Sequence, residues 1–283
     1  MAENTLPQAP VRMVVSGSIV ERCETHEVLS IVDSRLRSPS GRGLAVGSVN
    51  LDHLHHFRVA SAAPNGLVEW LLLADGMPIA WRGKLLTARP WPRVTGADLL
   101  PSLLALAEAN GYRVGFFGGS PQTHRSLAEH LQTNYPALVV SGMWAPDLDA
   151  IESRSPALCS AIRAARTELL VVSLGKPRQE RWVDEHGHAT GARVFLPSGG
   201  AVDFLAGMTS RAPHWMQRAG LEWLYRLTRE PRRLARRYLL QGPIALLRAL
   251  RAQLICYPGV HYVAAPAPDH IETCGAATEA VSA

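Results

Sequence analysis

The chain has 283 residues, 47% of them hydrophobic, with 23 glycines and 20 prolines, enough apolar material for one substantial core and a smaller extension. Its net charge of +5 is unevenly spread, because between Arg211 and Arg251 ten arginines stand against only Glu222 and Glu230. No run of about 18 apolar residues occurs, which excludes a membrane-spanning helix, and Met1-Ala2-Glu3-Asn4 lacks the basic and apolar regions of a secretory leader, so a cytoplasmic chain is expected.

Residues 1–10 and 264–283 are rich in Ala, Pro, Thr and Ser without periodicity and are predicted to be disordered tails. Between them, residues 44–49, 68–74, 113–117, 137–141, 169–174 and 194–197 are short apolar runs of strand length, separated mostly by helical patterns. That alternation predicts an α/β fold, a parallel sheet flanked by helices on both faces. Ser120-Pro121 directly after Gly118-Gly119 predicts a capped helix start, and Pro101 sits near the start of another helix that Gly111 ends. From Pro213 the strand signals cease, and helices are predicted over 215–228, 231–240 and 243–254. The boundary falls near Ser210, giving a main domain over 11–210 and a helical, Arg-rich C-terminal appendage over 211–263.

Ligands of parallel α/β sheets sit beyond the carboxyl ends of the strands, so the residues that follow each run are the candidates for chemistry. These include Ser48-Val49-Asn50, Asp75-Gly76, Gly118-Gly119-Ser120-Pro121, Gly175-Lys176-Pro177-Arg178-Gln179-Glu180 and Ser198-Gly199-Gly200. Gly118 and Gly119 ahead of a helix would let backbone N–H groups approach a diphosphate, or would simply make a tight turn. Asp75 can project a carboxylate into the cleft as a general base for an attacking hydroxyl, or cap the following turn. Ser48, Asn50 and Gln179 carry neutral polar groups suited to sugar hydroxyls or an acetamido group, although each by itself is more often structural, capping or solvated. His53, His55 and His56 have no matching ligand spacing, so no metal site is expected. Cys23, Cys159, Cys256 and Cys274 lie too far apart for a zinc or disulfide pattern. The absence of GxxxxGK[ST] and GxGxxG counts against a P-loop NTPase and against a nucleotide-cofactor oxidoreductase, and no cofactor is expected.

Arg226, Arg233 and Arg236 are spaced seven and three apart, so a continuous helix would present them on one face, where they could clamp a diphosphate. A solvated face is the plain alternative. Adhesion to an anionic membrane surface, at about 1 kcal/mol per basic residue and assisted by Trp215, Trp223, Leu224 and Tyr225, is compatible with either. A basic adaptor without catalysis, on membrane or nucleic acid, would leave the rim of Asp75, Asn50 and Gln179 unexplained; nucleic acid is not an expected partner, and a homo-oligomer is left open.

Several blocks of residues occur in the order of a known family. They are Ser48-Val49-Asn50-Leu51-Asp52-His53, Ala74-Asp75-Gly76, Arg93-Val94-Thr95-Gly96-Ala97-Asp98, Phe117-Gly118-Gly119-Ser120-Pro121, the block from Gly175 to Glu180, that from Gly199 to Gly207, Arg211-Ala212-Pro213, Gly220-Leu221-Glu222-Trp223-Leu224-Tyr225-Arg226-Leu227 and Glu230-Pro231-Arg232-Arg233. In them the chain resembles the WecG/TagA/CpsF glycosyltransferases, glycosyltransferase family 26. The resemblance implies a Rossmann-like domain whose helical appendage folds over the active site. It also implies inverting, metal-independent transfer of an N-acetylmannosamine-type sugar or another hexose from a UDP-sugar to an undecaprenyl-diphosphate-linked acceptor, for surface polysaccharide or cell-wall polymer, at the inner face of the plasma membrane. The family's catalytic aspartate falls on Asp75, its Thr-x-Asn on Ser48 and Asn50, its glutamine on Gln179 and its appendage arginines on Arg226, Arg233 and Arg236. Thr95, Asp98, Gly118, Gly119, Gly199 and Gly200 complete the expected substrate-binding set. Ser48 replaces the usual Thr and keeps the hydroxyl, Ala74 replaces a frequent Pro, and Met143-Trp144-Ala145-Pro146-Asp147-Leu148 departs from the family's usual loop.

Overall fold

The computed structural model describes residues 11–38, 41–57, 66–229 and 231–255. The expected tails over 1–10 and 264–283 lie outside the described residues, as do Cys256 and Cys274. In chain order the elements are β1 (Arg12–Val15), β2 (Ser18–Glu21), α1 (Thr25–Arg37), β3 (Gly43–Val49), α2 (Leu51–His56), β4 (Val68–Ala74), α3 (Met77–Thr87), α4 (Gly96–Asn110), β5 (Val114–Gly118) and α5 (Pro121–Asn134). They continue with β6 (Val140–Trp144), α6 (Ile151–Ala164), β7 (Leu169–Ser173), α7 (Arg178–Thr190), β8 (Val194–Pro197), α8 (Gly199–Leu205), α9 (His214–Arg218), α10 (Glu222–Arg229), α11 (Pro231–Ala235), a π-helical turn (Arg236–Gln241), α12 (Gly242–Ala249) and β9 (Gln253–Ile255).

Among the described residues nine strands form one sheet in the order β6-β5-β7-β8-β3-β4-β2-β1-β9. The pairings from β6 to β2 are parallel, and β1 runs antiparallel to both of its neighbours. The central strands are buried on both faces, because alternate residues of one run point to opposite sides. On β7, Leu169 and Val171 enter the core beneath α1, α4, α5 and α8, whereas Leu170 and Val172 enter the core beneath α6 and α7. A third cluster joins Met13, Val15 and Val20 to Ile79 of α3 and to Ala245 and Ala249 of α12.

The α/β reading therefore holds, with differences that have local causes. Ser16 and Gly17, both at positive φ, turn β1 into β2, a four-residue pair that the apolar-run reading passed over. The helix expected near Pro101 begins at Gly96, because the Thr95 hydroxyl accepts from the Asp98 N–H and starts it earlier. Strand β6 lies three residues later than expected at its start, since Leu138 N–H closes a turn onto the Tyr135 carbonyl. The helix expected over 215–228 is broken at Gly220, whose φ is +73° and whose Cα packs so close to Met77 that a Cβ would stand 2.9 Å from Met77 Cγ. Strand signals do not cease after Pro213: β9 pairs with β1, so the end of the appendage returns to the sheet edge.

Helix α12 packs against α2 and α3 through small residues, Gly242, Ala245 and Ala249, all of them buried. Enlarging that face should overpack it. Ala245→Leu is expected to lower the unfolding free energy by about 1–3 kcal/mol in urea titrations; an unchanged midpoint would mean that α12 does not dock as described.

Candidate functional site

The chain steps outward from β3 to β4, then begins again at β5 and returns through β7 and β8 to lie beside β3. That reversal is a topological switch point, where neighbouring strands lead their following loops in different directions. Strands β3 and β8 pair only at Leu44↔Val194 and Ala45↔Phe195, while β3 keeps pairing with β4 up to Val49 and β8 with β7 up to Pro197. The two strands therefore splay at their carboxyl ends. The N-terminus of α4 enters the gap, so close that a Cβ on Gly96 would lie 2.0 Å from Ser198 Oγ. The crevice floor, lined by Val46, Gly47 and Ser48, by Gly96 and by Pro197 and Ser198, encloses ≈ 10 Å³, about the room that one water molecule needs. A larger ligand belongs on the rim above it.

On that rim Asn50 Nδ2 donates to Asp75 Oδ2 at 2.9 Å, while Asn50 Oδ1 accepts from His53 N–H and caps α2. Asn50 thereby holds one oxygen of the half-buried carboxylate, and among the described residues the other oxygen has no hydrogen-bond partner. Ser48 is reached through its carbonyl, which accepts from Lys176 Nζ at 2.7 Å. Lys176 also lies 3.3 Å from Glu180 Oε1. Gln179 is engaged at both ends of its amide: Nε2 donates to Pro197 O and Glu180 Oε1, and Oε1 accepts from Gly199 N–H. It ties α7 to the start of α8, the structural use that stood as the alternative to sugar binding. Gly200 faces open space.

The glycine turn after β5 has a structural cause as well. Gly118 has φ +92°, and a Cβ there would stand 2.5 Å from Ser173 O. Gly119 N–H already donates to Ser173 O, and Ser120 Oγ caps α5 by accepting from Thr123 N–H. What the turn offers an anion is the positive first turn of α5.

The appendage is seated on the mouth of the site by two ion pairs of opposite sense. Arg211 Nη1 donates to Asp98 Oδ1 at 2.6 Å and Nη2 to Thr95 Oγ1 at 3.4 Å, and Glu222 stands 3.6 Å from Arg93. Asp98 Oδ2 accepts from Thr95 Oγ1, so both oxygens of that carboxylate are engaged. Burial pushes the Asp98 pKa up, but the Arg211 and Thr95 hydrogen bonds and the Arg211 and Arg93 charges outweigh it and hold the carboxyl below its ordinary value. Arg226 lies 6.0 Å over the Phe204 ring of α8, with a buried Nε that lacks a hydrogen-bond partner among the described residues. Arg236 is exposed, and the Arg233 side chain lies outside the described residues, as does Glu230. Arg226 lies on α10, Arg233 on α11 and Arg236 at the start of the π-helical turn.

Arg211, Lys176 and Glu222 had no assigned role in the sequence reading. The signal that could have found them is charge at the ends of motif blocks. Asp184, pushed up to about 6 chiefly by burial, accepts from Trp70 Nε1 at 2.6 Å across the α7 face of the sheet, away from the rim. Glu152, Glu185 and His186 lie close enough to share a cation, but both acids are exposed, an arrangement common without one.

A family model described as "Glycosyl transferase WecG/TagA/CpsF family" matches residues 13–257. The chain is similar to the N-acetylglucosaminyldiphosphoundecaprenol N-acetyl-beta-D-mannosaminyltransferase of Bacillus subtilis (strain 168), 28% identical over 165 residues. It is also similar to the protein of the same name from Bacillus spizizenii (strain ATCC 23059 / NRRL B-14472 / W23), 29% identical over 165 residues. Each match covers 58% of this chain and 63% of the relative, so the chain spans less than two thirds of their length.

His53, beneath the rim, meets Ser18 Oγ at 3.1 Å. Burial first, then the charges of Lys176 and His56, hold its pKa well below the ordinary 6.5. A depressed folded value leaves its stabilising contribution intact above pH 6.5 and removes it as the pH falls below, by up to about 1.4 kcal/mol per unit. The difference in unfolding free energy between wild type and His53→Gln should therefore shrink between about pH 7.5 and about pH 5.5. A constant difference would mean that the ring is not held neutral.

Proposed function

The chain belongs to the WecG/TagA/CpsF glycosyl transferase family, and on that premise we propose that it moves a sugar from a UDP-sugar to a polyprenyl-diphosphate-linked acceptor with inversion and without a required metal. The observation that carries the reading is Asp75, fixed at one oxygen by Asn50 and, among the described residues, without a hydrogen-bond partner at the other, on the rim of a switch-point crevice. In the proposed step the acceptor hydroxyl attacks the anomeric carbon and gives its proton to Asp75, while the bond from that carbon to the diphosphate oxygen breaks on the opposite face. UDP leaves with the bonding electron pair. The start of α5 and the Arg226 guanidinium supply positive charge for that leaving group; Ser48 lines the donor side, and Gln179 acts indirectly by holding the start of α8. The names of the Bacillus relatives support a hexosamine donor and an undecaprenyl-diphosphate acceptor.

The acceptor's lipid calls for a membrane surface, and among the described residues no helix is long and apolar enough to cross one. Helices α3 and α12 are in contact and expose Trp81, Leu85, Ile244 and Leu247. The exposed cations Lys84, Arg89 and Arg251 lie on or beside the same helices, and Arg236 precedes α12. Apolar side chains ringed by cations suit the headgroup region of an anionic leaflet, which supports peripheral attachment at the inner face of the plasma membrane.

Asp75→Asn is expected to retain UDP affinity in calorimetry while lowering kcat by about 10²–10⁴ with UDP-N-acetylmannosamine as donor; an unimpaired kcat would remove Asp75 as the base. Replacing both Trp81 and Leu247 with Ser should weaken sedimentation with phosphatidylglycerol vesicles by roughly a hundredfold or more, given about 1.5–3 kcal/mol for each buried side chain. Equal binding by the double variant would locate the membrane contact elsewhere.

A further inference from the structure

Where parallel strands part before they end, the backbone groups facing the gap lose their ladder partners and must find others. Beyond Ala45 and Phe195 this happens to β3 and β8. The two carbonyls at the lips of the gap, Ser48 O and Pro197 O, are taken up by neighbouring side chains of one turn: Lys176 Nζ reaches the first at 2.7 Å and Gln179 Nε2 the second at 2.9 Å. Glu180 joins them, standing 3.3 Å from Lys176 and accepting from Gln179 at 3.1 Å. A continuous polar bridge thus crosses the crevice from β3 to β8. It is costly to bury: the Lys176 and Glu180 side chains are 10% and 5% exposed, and Glu180 Oε2 has no hydrogen-bond partner among the described residues. An apolar pair of similar volume could fill the same space without that desolvation, so a buried ion pair is a poor choice if stability alone is served.

We propose that Lys176 is a positioning residue of the transfer reaction: by holding the Ser48 carbonyl against Glu180 it keeps the end of β3 splayed from β8 and so sets the direction in which Asn50 presents Asp75. The coupling is short. Ser48 is two residues before Asn50 in the same extended chain, Asn50 Nδ2 holds Asp75 Oδ2, and Asp75 N–H donates to Val49 O. Letting go of the Ser48 carbonyl frees the strand end that carries both partners. The inference rests on the reading of Asp75 as the base, yet its structural part can be measured apart from any activity.

The variants are Lys176→Met, Lys176→Arg and the double change Lys176→Met with Glu180→Gln, which keeps an acceptor for Gln179 and leaves no unpaired charge should the single variant fail to fold. In hydrogen–deuterium exchange of the full chain, amides of residues 46–51 should exchange about tenfold faster or more in the Met variants, with β7 amides unchanged. With UDP-N-acetylmannosamine, kcat should fall about tenfold or more while the donor KM and the calorimetric Kd for UDP stay within about threefold, and Lys176→Arg should recover most of kcat. Unchanged exchange over 46–51 would overturn the proposal whatever the kinetics. Faster exchange with an unchanged kcat would reduce Lys176 to a structural brace, and a parallel loss of UDP affinity would make it a ligand contact instead; each also overturns it. If exchange rises as expected but wild type transfers no sugar from any UDP donor, the strand-positioning role stands and the transferase reading fails.

Discussion

Strands β3 and β8 share a ladder for two residue pairs and then diverge, although each goes on pairing with its other neighbour. That divergence creates the crevice, since a fully zipped sheet would present a flush edge at its carboxyl end. It also creates a debt of unpaired backbone groups in a place shielded from water, which the Lys176, Glu180 and Gln179 bridge and the inserted start of α4 meet. Two glycines at this end have no room for a side chain, Gly96 in the gap itself against Ser198, and Gly118 against the carbonyl of Ser173, its own ladder partner on β7. Function and packing are therefore joined at the same atoms.

The appendage is attached by means of a different kind. Its last strand adds to the sheet edge at β1, and α12 buries a face of small residues against α2. Between these points and the main domain, the Arg211–Asp98 and Glu222–Arg93 pairs cross, the appendage supplying the cation in one and the anion in the other. Such pairs are partly exposed and individually weak, of order 1 kcal/mol or less, but their opposite sense selects one seating of the helices over shifted ones, which would bring like charges together. Gly220 against Met77 completes the registration two residues beyond Asp75. The outcome is an arginine-rich segment laid beside the carboxylate rim, with Trp215, Trp223, Ile244 and Leu247 among the side chains left exposed.

Much of the sheet was legible because its strands are buried on both faces. A run such as Leu169-Leu170-Val171-Val172 is short, apolar and partly β-branched, and Ser120 starts its helix through a hydrogen bond only three residues long. The rim residues followed from the same reading, since whatever succeeds a parallel strand stands at its carboxyl end. Strands β1, β2 and β9 were not legible: they span three or four residues each, and their strand character comes from partners far away in the chain. Gln179 shows the limit at a single residue. Its amide suits a sugar hydroxyl equally well, and only the approach of Pro197 and Gly199 commits it to the chain's own backbone.

The sequence by itself determined the properties that act over a few residues: which segments are apolar on both sides, where helices are capped, which polar groups end each strand, and that positive charge gathers after residue 211. Tertiary structure alone decided which of those strand ends become neighbours. Ser48 and Lys176 are 128 residues apart, and Arg211 and Asp98 are 113 apart. Their meeting depends on the strand order and on where β3 and β8 part, which are set by the packing of the whole core and leave no local periodicity to read.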